Sequence, residues 1–520
     1  MAALHERLPL LKRERRLVHA LLAGALLVGT ALRFYALGAK SLWVDEAFSV
    51  WLARQSAPEL IDWVVRIDQH PPLYYLLLHV WIRLLGDGPV AVRSLSALAG
   101  ALTLPVFYLI ARRVGPSRRT ALPATLLLAL SPFHIRYAQE ARMYALLTLF
   151  AATAIYGAVS LLAQADKKSV NSKEAVPAVC LLLTGQAAAM WTHNTAAVFL
   201  PAALLIPLLV WKTTPAFRRV WLGVQGLALL LWLPWLLGFM RQARGVDARF
   251  WLPAPTPGSM IDALETFAFA HLPDGAWRLP LLALMLSLAG AGVWSLRRQP
   301  RRRILLLSLW LTPIAGELLI SLRRPIFSVH TLIWTTLPFY LFIGLGVQGA
   351  TSRKWSGSPR SPASRSALGL SLTAAIAFIS LAGVAGYFQQ FEKEDWRGAA
   401  RAIAQEAQPG DLLLFHASWV QLPFDYYFRH EAATPESRGL PADLFDRGEL
   451  EPVMEPGDLP RLQTLVDGRD RVWLLYAHDW YTDPDGLIPA YMEQTMQLVG
   501  QTELQGLQIF EYEQKAEERQ

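Results

Sequence analysis

Two adjacent acidic residues, Asp45 and Glu46, follow the first long apolar run of the chain. A carboxylate in such a place can take the proton of an acceptor hydroxyl group, as a general base does. Neighbouring residues on a helix point about 100° apart, so the two acids cannot share one role. The alternative is structural, with Ser41 or Asp45 as the cap of a helix through residues 48–53.

His70 stands directly before two prolines, Pro71 and Pro72. Proline fits the first turn of a helix, so His70 can be an ordinary polar residue at a helix start. In the other interpretation, the rigid turn holds His70 toward a phosphate group or a metal ion. The sequence leaves both interpretations open.

A second polar stretch, HIRYAQEARMY, combines cations with an acid and aromatic rings. Arg136 and Glu140 are four residues apart, so on a helix they lie on one face. Tyr137 and Tyr144 are seven apart and share a face in the same way. The pattern fits an ion pair within an aromatic belt at the membrane surface. It also fits a phosphate site, in which Arg142 at the start of the next span contacts the phosphate.

More polar residues stand at the predicted outer ends of apolar segments: Arg33, Arg93, His193, Asn194, Glu317, Arg323, Arg324 and His330. An ionisable group within or beside a membrane span is costly and is a functional hypothesis by default. Arginine can bind phosphate bidentately, which suits an anionic lipid substrate. For residues 193–194 and 323–324 the alternative is an ordinary polar flank of a span.

Membrane helices must position these residues. The chain of 520 residues is 53% hydrophobic and 17% charged, and apolar runs recur from Leu17 to Phe388. A run of roughly 20 apolar residues crosses a hydrocarbon core of ~30 Å. We therefore predict an all-α polytopic membrane domain of about eleven transmembrane helices, at 17–37, 89–110, 122–132, 145–163, 176–191, 196–211, 220–240, 280–296, 304–322, 327–347 and 367–388. The shorter runs 73–85 and 259–271 predict helices that lie on the outer membrane surface. For 73–85 the alternative is a helix that crosses the membrane, but the distribution of Lys and Arg favours the surface position.

The charge divides the chain into two parts. Residues 391–520 contain 25 acidic and 11 basic residues, a net charge of −14, whereas the first 390 residues carry +22. We predict a transmembrane domain at 1–390 and a small extracytoplasmic α/β domain at 391–520. The tail pattern predicts helices at 396–406 and 490–499 and strands at 412–417, 471–478 and 506–512. The basic start of the chain predicts a cytoplasmic N-terminus, because Lys and Arg concentrate on that side.

Missing motifs exclude several classes of function. The chain has no Gly-rich phosphate loop, no Walker pattern and no HExxH zinc motif, which argues against ATP-driven chemistry. Its single cysteine, Cys180, lies in an apolar run and cannot form a disulfide within one chain. The basic excess belongs to loops beside lipid, so we expect membrane lipids and no nucleic acid as partners.

The segments WVDEAF, HPPLYY, GDGPVAVRSLSAL and AQEARMYALL follow one another after a single N-terminal span. This order resembles the integral-membrane glycosyltransferases that use polyprenyl-phosphate sugars, which include protein O-mannosyltransferases and lipid A aminoarabinose transferases. The resemblance implies that Asp45 is the catalytic base and that Glu46 supports it or contacts a cation. The substrate contacts that we expect from it are His70, which is lysine in some members, Arg93, Arg136, Arg142 and Tyr144.

One late stretch departs from the family pattern. Many members open this span with an Arg-Tyr pair after a proline, whereas this chain reads RRPIFSVHTLIW. We expect Arg323, Arg324 or His330 to replace that phosphate contact. A divalent metal cation, with Glu46 and His70 as ligands, is the one cofactor that we consider.

The sequence therefore predicts an inverting glycosyltransferase at the outer face of a bacterial inner membrane. Its donor is a polyprenyl-phosphate-linked sugar, and its acceptor is a lipid, a protein or a glycan. The alternative is a transporter or flippase of an anionic, lipid-linked substrate, which can use the same cations. That alternative predicts charges deep in the helices, or broken helices in two related halves. A non-catalytic assembly or sensor protein gives no reason for polar residues to gather at one face.

Overall fold

The computed structural model describes residues 2–115, 118–165, 172–245, 252–351, 362–429, 435–447 and 452–515. Its helices in chain order are α1 Ala2–Phe34, α2 Val44–Arg54, α3 Ala57–Ile67, α4 Leu73–Leu85, α5 Pro89–Val114, α6 Arg118–Leu130, α7 Pro132–Ala138, α8 Tyr144–Ala165, α9 Ser172–Thr192, α10 Asn194–Leu205, α11 Pro207–Val210, α12 Pro215–Trp232, α13 Leu236–Gly245, α14 Pro257–Phe269, α15 Arg278–Ser295, α16 Pro300–Ser321, α17 Thr336–Ala350, α18 Pro362–Gln389, α19 Trp396–Glu406, α20 Gln421–Phe428, α21 Leu459–Val466, α22 Asp479–Thr482 and α23 Leu487–Thr495. The strands are β1 Leu412–His416, β2 Glu436–Gly439, β3 Arg471–Tyr476, β4 Met496–Leu504 and β5 Leu507–Gln514.

Nine helices in the described part of the chain are long and apolar enough to cross a membrane: Arg16–Phe34, Pro89–Val114, Tyr144–Gln164, Ala175–Thr192, Pro215–Arg244, Arg278–Ser295, Pro300–Ser321, Ile333–Ala350 and Ala367–Gln389. The predicted spans 122–132 and 196–211 are present as shorter apolar helices. Proline explains why they are short, because Pro132 starts α7 just after α6 and Pro207 starts α11 just after α10. The predicted fold class, a polytopic helical protein with a small sheet in its tail, is confirmed.

The chain forms two units, each assembled from separate segments. The first unit contains the residues up to Tyr35, His70–Tyr74 and Arg93–Phe391. The second unit contains Ala36–Gln69, Tyr75–Val92 and Glu392–Gln520. The tail therefore shares its unit with the loop that follows α1, whereas the sequence analysis divided the chain once, after residue 390.

In the first unit, glycines allow membrane helices to approach closely. A Cβ atom at Gly157 of α8 would collide with the backbone of Leu182 in α9. A Cβ atom at Gly292 of α15 would likewise collide with the backbone of Phe342 in α17. Association of helices in lipid depends on such close packing, because lipid chains are as apolar as the side chains they replace.

Arg33, near the end of α1, caps the end of another helix. Its guanidinium donates hydrogen bonds to the carbonyl oxygens of Leu128 and Ala129 in α6 and of Gly29 in its own helix, at 3.0, 3.1 and 2.7 Å. The last carbonyls of a helix have no partner within the helix, and a cation there also interacts favourably with the helix dipole. Arg33 is 1% exposed. Its role is therefore structural.

The second unit is built on a five-stranded sheet with the strand order β2-β1-β3-β5-β4. Strands β1, β2 and β3 are parallel, and β5 and β4 are antiparallel additions. Helices α19 and α20 pack on one face of the sheet, and α21 and α23 pack on the other. Because β1 is covered on both faces, its sequence is a continuous apolar run.

The loop after α1 takes part in the core of the second unit. Val44 of α2 packs in the cluster that contains Trp396 of α19 and Phe424 of α20. Asp87 also connects α2 with the tail, because it forms ion pairs with Arg54 at 2.7 Å and with Arg429 at 3.0 Å. The tail and this loop are therefore parts of one folded unit.

One predicted element of the tail is wrong in part. Residues 490–499 were expected to be helical, but α23 ends at Thr495 and β4 begins at Met496. Strand β4 forms a hairpin with β5, and the turn between them contains Gly506 with a φ of +77°. Cross-strand pairing with β5 decides the structure of these residues, and the apolar pattern of a short segment does not reveal it.

The Arg33 cap gives a prediction about stability. Arg33→Met should lower the free energy of unfolding by about 2–4 kcal/mol, because buried carbonyl oxygens of α6 lose their donors. The measurement is thermal unfolding of the purified protein in detergent. Arg83→Met is the matched control, since Arg83 is exposed and its loss should change stability by less than ~0.5 kcal/mol. Equal melting temperatures of the two variants would contradict the capping role.

Candidate active site

Three histidines from separate segments of the first unit meet around one tyrosine. The ring centroids of His70 and His193 are 5.0 Å apart. The ring of Tyr144 lies between those of His193 and His330, at centroid distances of 6.0 and 4.8 Å. We call His70, His193, His330 and Tyr144 the histidine cluster. Its members precede or follow helices, so the cluster is built at helix ends.

His193 is fixed at the junction of α9 and α10. It is the N-cap residue of α10, and its Nδ1 accepts a hydrogen bond from the backbone N–H of Thr195 at 3.2 Å. The Thr195 hydroxyl also lies 2.9 Å from the same nitrogen. Because Nδ1 accepts, the proton of the neutral ring is on Nε2. The ring is 4% exposed, and no residue in the described ranges forms a hydrogen bond with Nε2.

His330 lies in the loop between α16 and α17. Its Nδ1 is 2.8 Å from the hydroxyl of Ser328. The loop is held by Glu317 of α16, whose carboxylate accepts hydrogen bonds from the Thr331 hydroxyl at 2.7 Å and from the Ser328 backbone N–H at 3.4 Å. Glu317 is fully buried. It therefore fixes the backbone on both sides of His330.

His70 is held through its backbone by Gln242 of α13. The Gln242 side-chain amide donates to the carbonyl oxygen of His70 at 3.0 Å. Its own oxygen accepts a hydrogen bond from the side chain of Asn194 at 2.8 Å. One amide thus links the segments that carry His70 and His193. The sequence analysis did not identify Gln242, because a neutral residue in a short helix gives no signal of its own.

Arg142 brings a fixed positive charge to the histidine cluster, and Arg136 adds a second charge near His330. The expected ion pair of Arg136 with Glu140 is present at 3.3 Å. Tyr137 and Tyr144 are also in contact, with ring centroids 5.0 Å apart. Their expected common helix face is wrong, however, because α7 ends at Ala138 and α8 begins at Tyr144. Residues 139–143, between the two helices, are not helical, and Arg142 lies in this segment.

Burial and positive charge keep two of the histidines neutral. Burial lowers the pKa of His193 well below its ordinary value, and His70, His330 and Arg142 lower it further. The pKa of His330 is about 3, because of burial and of the charges of Arg142, His70 and Arg136. At neutral pH these rings are uncharged groups beside a guanidinium. His193 can donate a hydrogen bond to an anion through its Nε2.

Asp45 and Glu46 lie in the first turn of α2, within the second unit, and their surroundings differ. Glu46 is fully buried and forms an ion pair with the ammonium group of Lys393 at 2.8 Å. Asp45 is partly buried. Neither Ser41 nor Asp45 caps the helix, since Trp43 occupies the N-cap position without a side-chain hydrogen bond. The structure thus separates the two acids, and Glu46 has the cation contact that the sequence analysis gave it as one option.

A metal site with Glu46 and His70 as ligands stays a prediction. Among the described residues, no group of three or more His, Cys, Asp or Glu side chains is arranged to hold a metal. The carboxylate of Glu46 already faces an ammonium group. No step proposed below depends on a metal.

Arg324 and Arg93 are two other expected substrate contacts. Arg324 donates a hydrogen bond to the carbonyl oxygen of Ala243 at 3.0 Å. Arg93 is buried in α5 and is 1% exposed. Their roles in substrate binding stay predictions. Lys393, which holds Glu46, was not identified from the sequence, because it is 347 residues away along the chain.

The family model of dolichyl-phosphate-mannose-protein mannosyltransferases matches residues 69–237. This range contains His70, Arg136, Arg142, Tyr144 and His193. A protein of Aquifex aeolicus without an assigned function is 28% identical over 132 residues, which are 24% of this chain and 26% of that protein. The chain therefore matches about a quarter of the length of this relative.

Solved structures share the fold. ArnT from Cupriavidus metallidurans in the apo state has a TM-score of 0.64 at 14% identity, over 96% of this chain and 98% of ArnT. The same protein bound to undecaprenyl phosphate has a TM-score of 0.58 at 15% identity, over 95% and 97% of the two chains. The apo oligosaccharyltransferase of Archaeoglobus fulgidus has a TM-score of 0.58 at 10% identity, over 88% of this chain and 69% of its own. The family match confirms the predicted resemblance over residues 69–237, and the solved structures confirm the predicted fold.

The ion pair of Glu46 gives a second prediction. Glu46→Gln should destabilise the second unit by roughly 3–5 kcal/mol, because the ammonium group of Lys393 stays buried without its carboxylate. The double variant Glu46→Gln/Lys393→Met should recover most of this loss. Thermal unfolding of the full chain in detergent measures both effects.

Asp62→Asn is the matched control for this experiment. Asp62 forms an exposed ion pair with Arg66, and such pairs contribute about 0–1 kcal/mol. If Glu46→Gln were as stable as Asp62→Asn, the buried pair would not support α2.

Proposed function

We propose that this protein transfers a sugar from a polyprenyl phosphate to an acceptor on a lipid, a protein or a glycan. The reaction takes place at the outer face of a bacterial inner membrane and inverts the anomeric carbon. The observation that carries the proposal is the convergence of Arg142 with the histidine cluster in the first unit. A guanidinium and three imidazole rings beside one another suit a phosphate group more than any neutral ligand.

The first unit supplies the groups that hold the phosphate of the donor. When the bond between the anomeric carbon and the phosphate oxygen breaks, its electron pair stays on that oxygen, and the lipid phosphate gains negative charge. Arg142 and the N–H groups of the imidazole rings stabilise this charge, because they are already oriented when it develops. Tyr144 packs between two of the rings and fixes their spacing.

Asp45 is the base in this proposal. Asp45 takes the proton of the acceptor hydroxyl while the acceptor oxygen attacks the anomeric carbon, and the polyprenyl phosphate leaves from the opposite side. Glu46 does not compete for this proton, because its charge is held by Lys393. Its role is to fix the turn of α2 that carries Asp45.

The names of similar proteins support the choice of donor. The matching family uses dolichyl-phosphate-mannose, and one ArnT structure contains undecaprenyl phosphate. Both are phosphates on a polyprenyl chain. The outer location rests on the basic N-terminus, which the distribution of Lys and Arg assigns to the cytoplasm.

Replacement of the base tests the mechanism. Asp45→Asn should lower the rate of sugar transfer by about 10²–10⁴-fold, because the amide cannot take the acceptor proton. The protein should still bind the donor and unfold at the same temperature. The assay uses the purified full chain in lipid vesicles with a panel of polyprenyl-phosphate sugars and membrane extracts as acceptors.

Asp62→Asn serves as the control here as well, since Asp62 is an exposed acid on α3. It should retain full activity. Unchanged transfer by Asp45→Asn would exclude Asp45 as the base. Absence of transfer or hydrolysis by the unmodified protein with every donor in the panel would count against the enzyme itself.

A further inference from the structure

The segment that carries His70 has few backbone donors with which to anchor itself. The two residues that follow His70 are prolines, and proline has no N–H group. They restrict the backbone angles, but they cannot donate a hydrogen bond to the rest of the unit. The segment is anchored instead through an acceptor, because the carbonyl oxygen of His70 binds the side-chain amide of Gln242 at 3.0 Å. Gln242 is 6% exposed, so this contact is shielded from water.

This contact fixes the orientation of two side-chain amides. A carbonyl oxygen can only accept a hydrogen bond, so the NH₂ group of Gln242 must face His70. The oxygen of Gln242 then faces Asn194, whose own NH₂ group donates to it at 2.8 Å. Asn194 directly follows His193, at the start of α10. The three groups form one ordered series of donors and acceptors, and loss of the Gln242 amide breaks both hydrogen bonds.

The same turn of α13 also contacts the loop that carries His330. Arg324, near the start of this loop, donates a hydrogen bond to the carbonyl oxygen of Ala243 at 3.0 Å. The last four carbonyl oxygens of a helix have no partner within it, and α13 ends at Gly245. Ala243 is therefore a natural place for a donor from another segment. Adjacent residues of one helix thus contact the segments of all three histidines.

The separation of the rings depends on these backbone contacts. The centroids of His70 and His193 are 5.0 Å apart, so both rings can reach one bound group only if their segments keep this spacing. A displacement of ~1 Å in a site of this kind can cost about 10²-fold in rate. Gln242 can act on a ligand through the rings, because both ends of its amide already bind the protein.

We propose that Gln242 is a positioning residue for the lipid-phosphate site, and that it holds His70 and His193 at the spacing at which both rings contact the phosphate of the donor. The identity of the ligand rests on the proposed function. The positioning role needs no contact between Gln242 and the substrate. It predicts that loss of the amide weakens phosphate binding by more than loss of another buried amide of the same unit does.

The test measures binding of undecaprenyl phosphate to the purified full chain in detergent. Gln242→Met keeps the approximate length of the side chain and removes both hydrogen bonds. We expect the dissociation constant to rise by roughly 5–30-fold, the effect of one or two lost hydrogen bonds. A dissociation constant within about twofold of that of the unmodified protein would overturn the proposal.

Gln225→Met is the matched control. Gln225 of α12 is 2% exposed, and its side-chain oxygen accepts a hydrogen bond from Gln186 of α9 at 2.8 Å. Its replacement should lower the melting temperature about as much as that of Gln242 does, but change lipid binding by less than about twofold. Equal weakening of binding by both variants would indicate a general effect of a lost buried amide, and the positioning role would be wrong.

A second measurement tests whether the effect passes through the ring of His70. The hydrogen bond from Gln242 ends on the backbone of His70, so His70→Ala keeps it. In this background Gln242→Met breaks the same hydrogen bond, but no imidazole is displaced. The further rise of the dissociation constant should be less than about threefold, because residues that act together are not additive. The full loss in both backgrounds would show that Gln242 does not act through His70.

Sugar transfer is assayed separately with the same proteins. A chain that binds undecaprenyl phosphate, responds to the variants as expected and transfers no sugar would support the positioning role and contradict the transferase activity. A chain that transfers sugar but binds the lipid equally well with and without the Gln242 amide would uphold the proposed function and contradict the positioning role.

Discussion

Positive charge that is withheld from water needs an anion or a set of oriented acceptors beside it, and three sites in the described part of the chain meet that need in different ways. Arg33 uses the free carbonyl oxygens at the end of α6. Lys393 uses the carboxylate of Glu46. The groups around Arg142 use a third solution, in which the imidazoles of His193 and His330 stay uncharged. In our proposal, an anion from outside the protein completes this third solution.

The three solutions separate structure from chemistry. The charges of Arg33 and Lys393 are satisfied within the protein, so they contribute to the fold and to the placing of α2. The charge beside the histidines is the one that we propose to be matched to a ligand. An ionisable residue at a helix end is therefore not functional by type alone. Its role depends on whether the protein itself supplies the groups that satisfy its charge.

Much of the helical part could be predicted from the sequence, because the length of an apolar run is a local property. The helix 396–406 and the buried strand that starts at Leu412 were predicted for the same reason. The prediction of a helix at 490–499 was wrong in part, because the end of this segment pairs with a strand that comes later in the chain. The predicted common helix of Tyr137 and Tyr144 was wrong, because two residues seven apart can be in contact without sharing a helix.

The residues of the candidate site could likewise be predicted only in part from the sequence. His70, Arg142, Tyr144 and His330 were selected as polar residues beside apolar runs, and the structure brings them together around His193. Their roles stay predictions. The side chains that hold them, Gln242 and Glu317, give weak signals or none, because their importance lies in contacts with distant segments. Positioning residues of this kind are visible only after folding.

The shared core of α2 and the tail has a consequence for synthesis. Glu46 leaves the ribosome 347 residues before Lys393, and Val44 precedes Trp396 by a similar length. Until the last quarter of the chain has been made, the turn that carries Asp45 has neither its counter-charge nor its apolar partners. A chain that is cut short before the tail would insert its membrane helices and yet hold its acid in an unformed loop. Completion of the polypeptide is thus a condition for assembly of this turn.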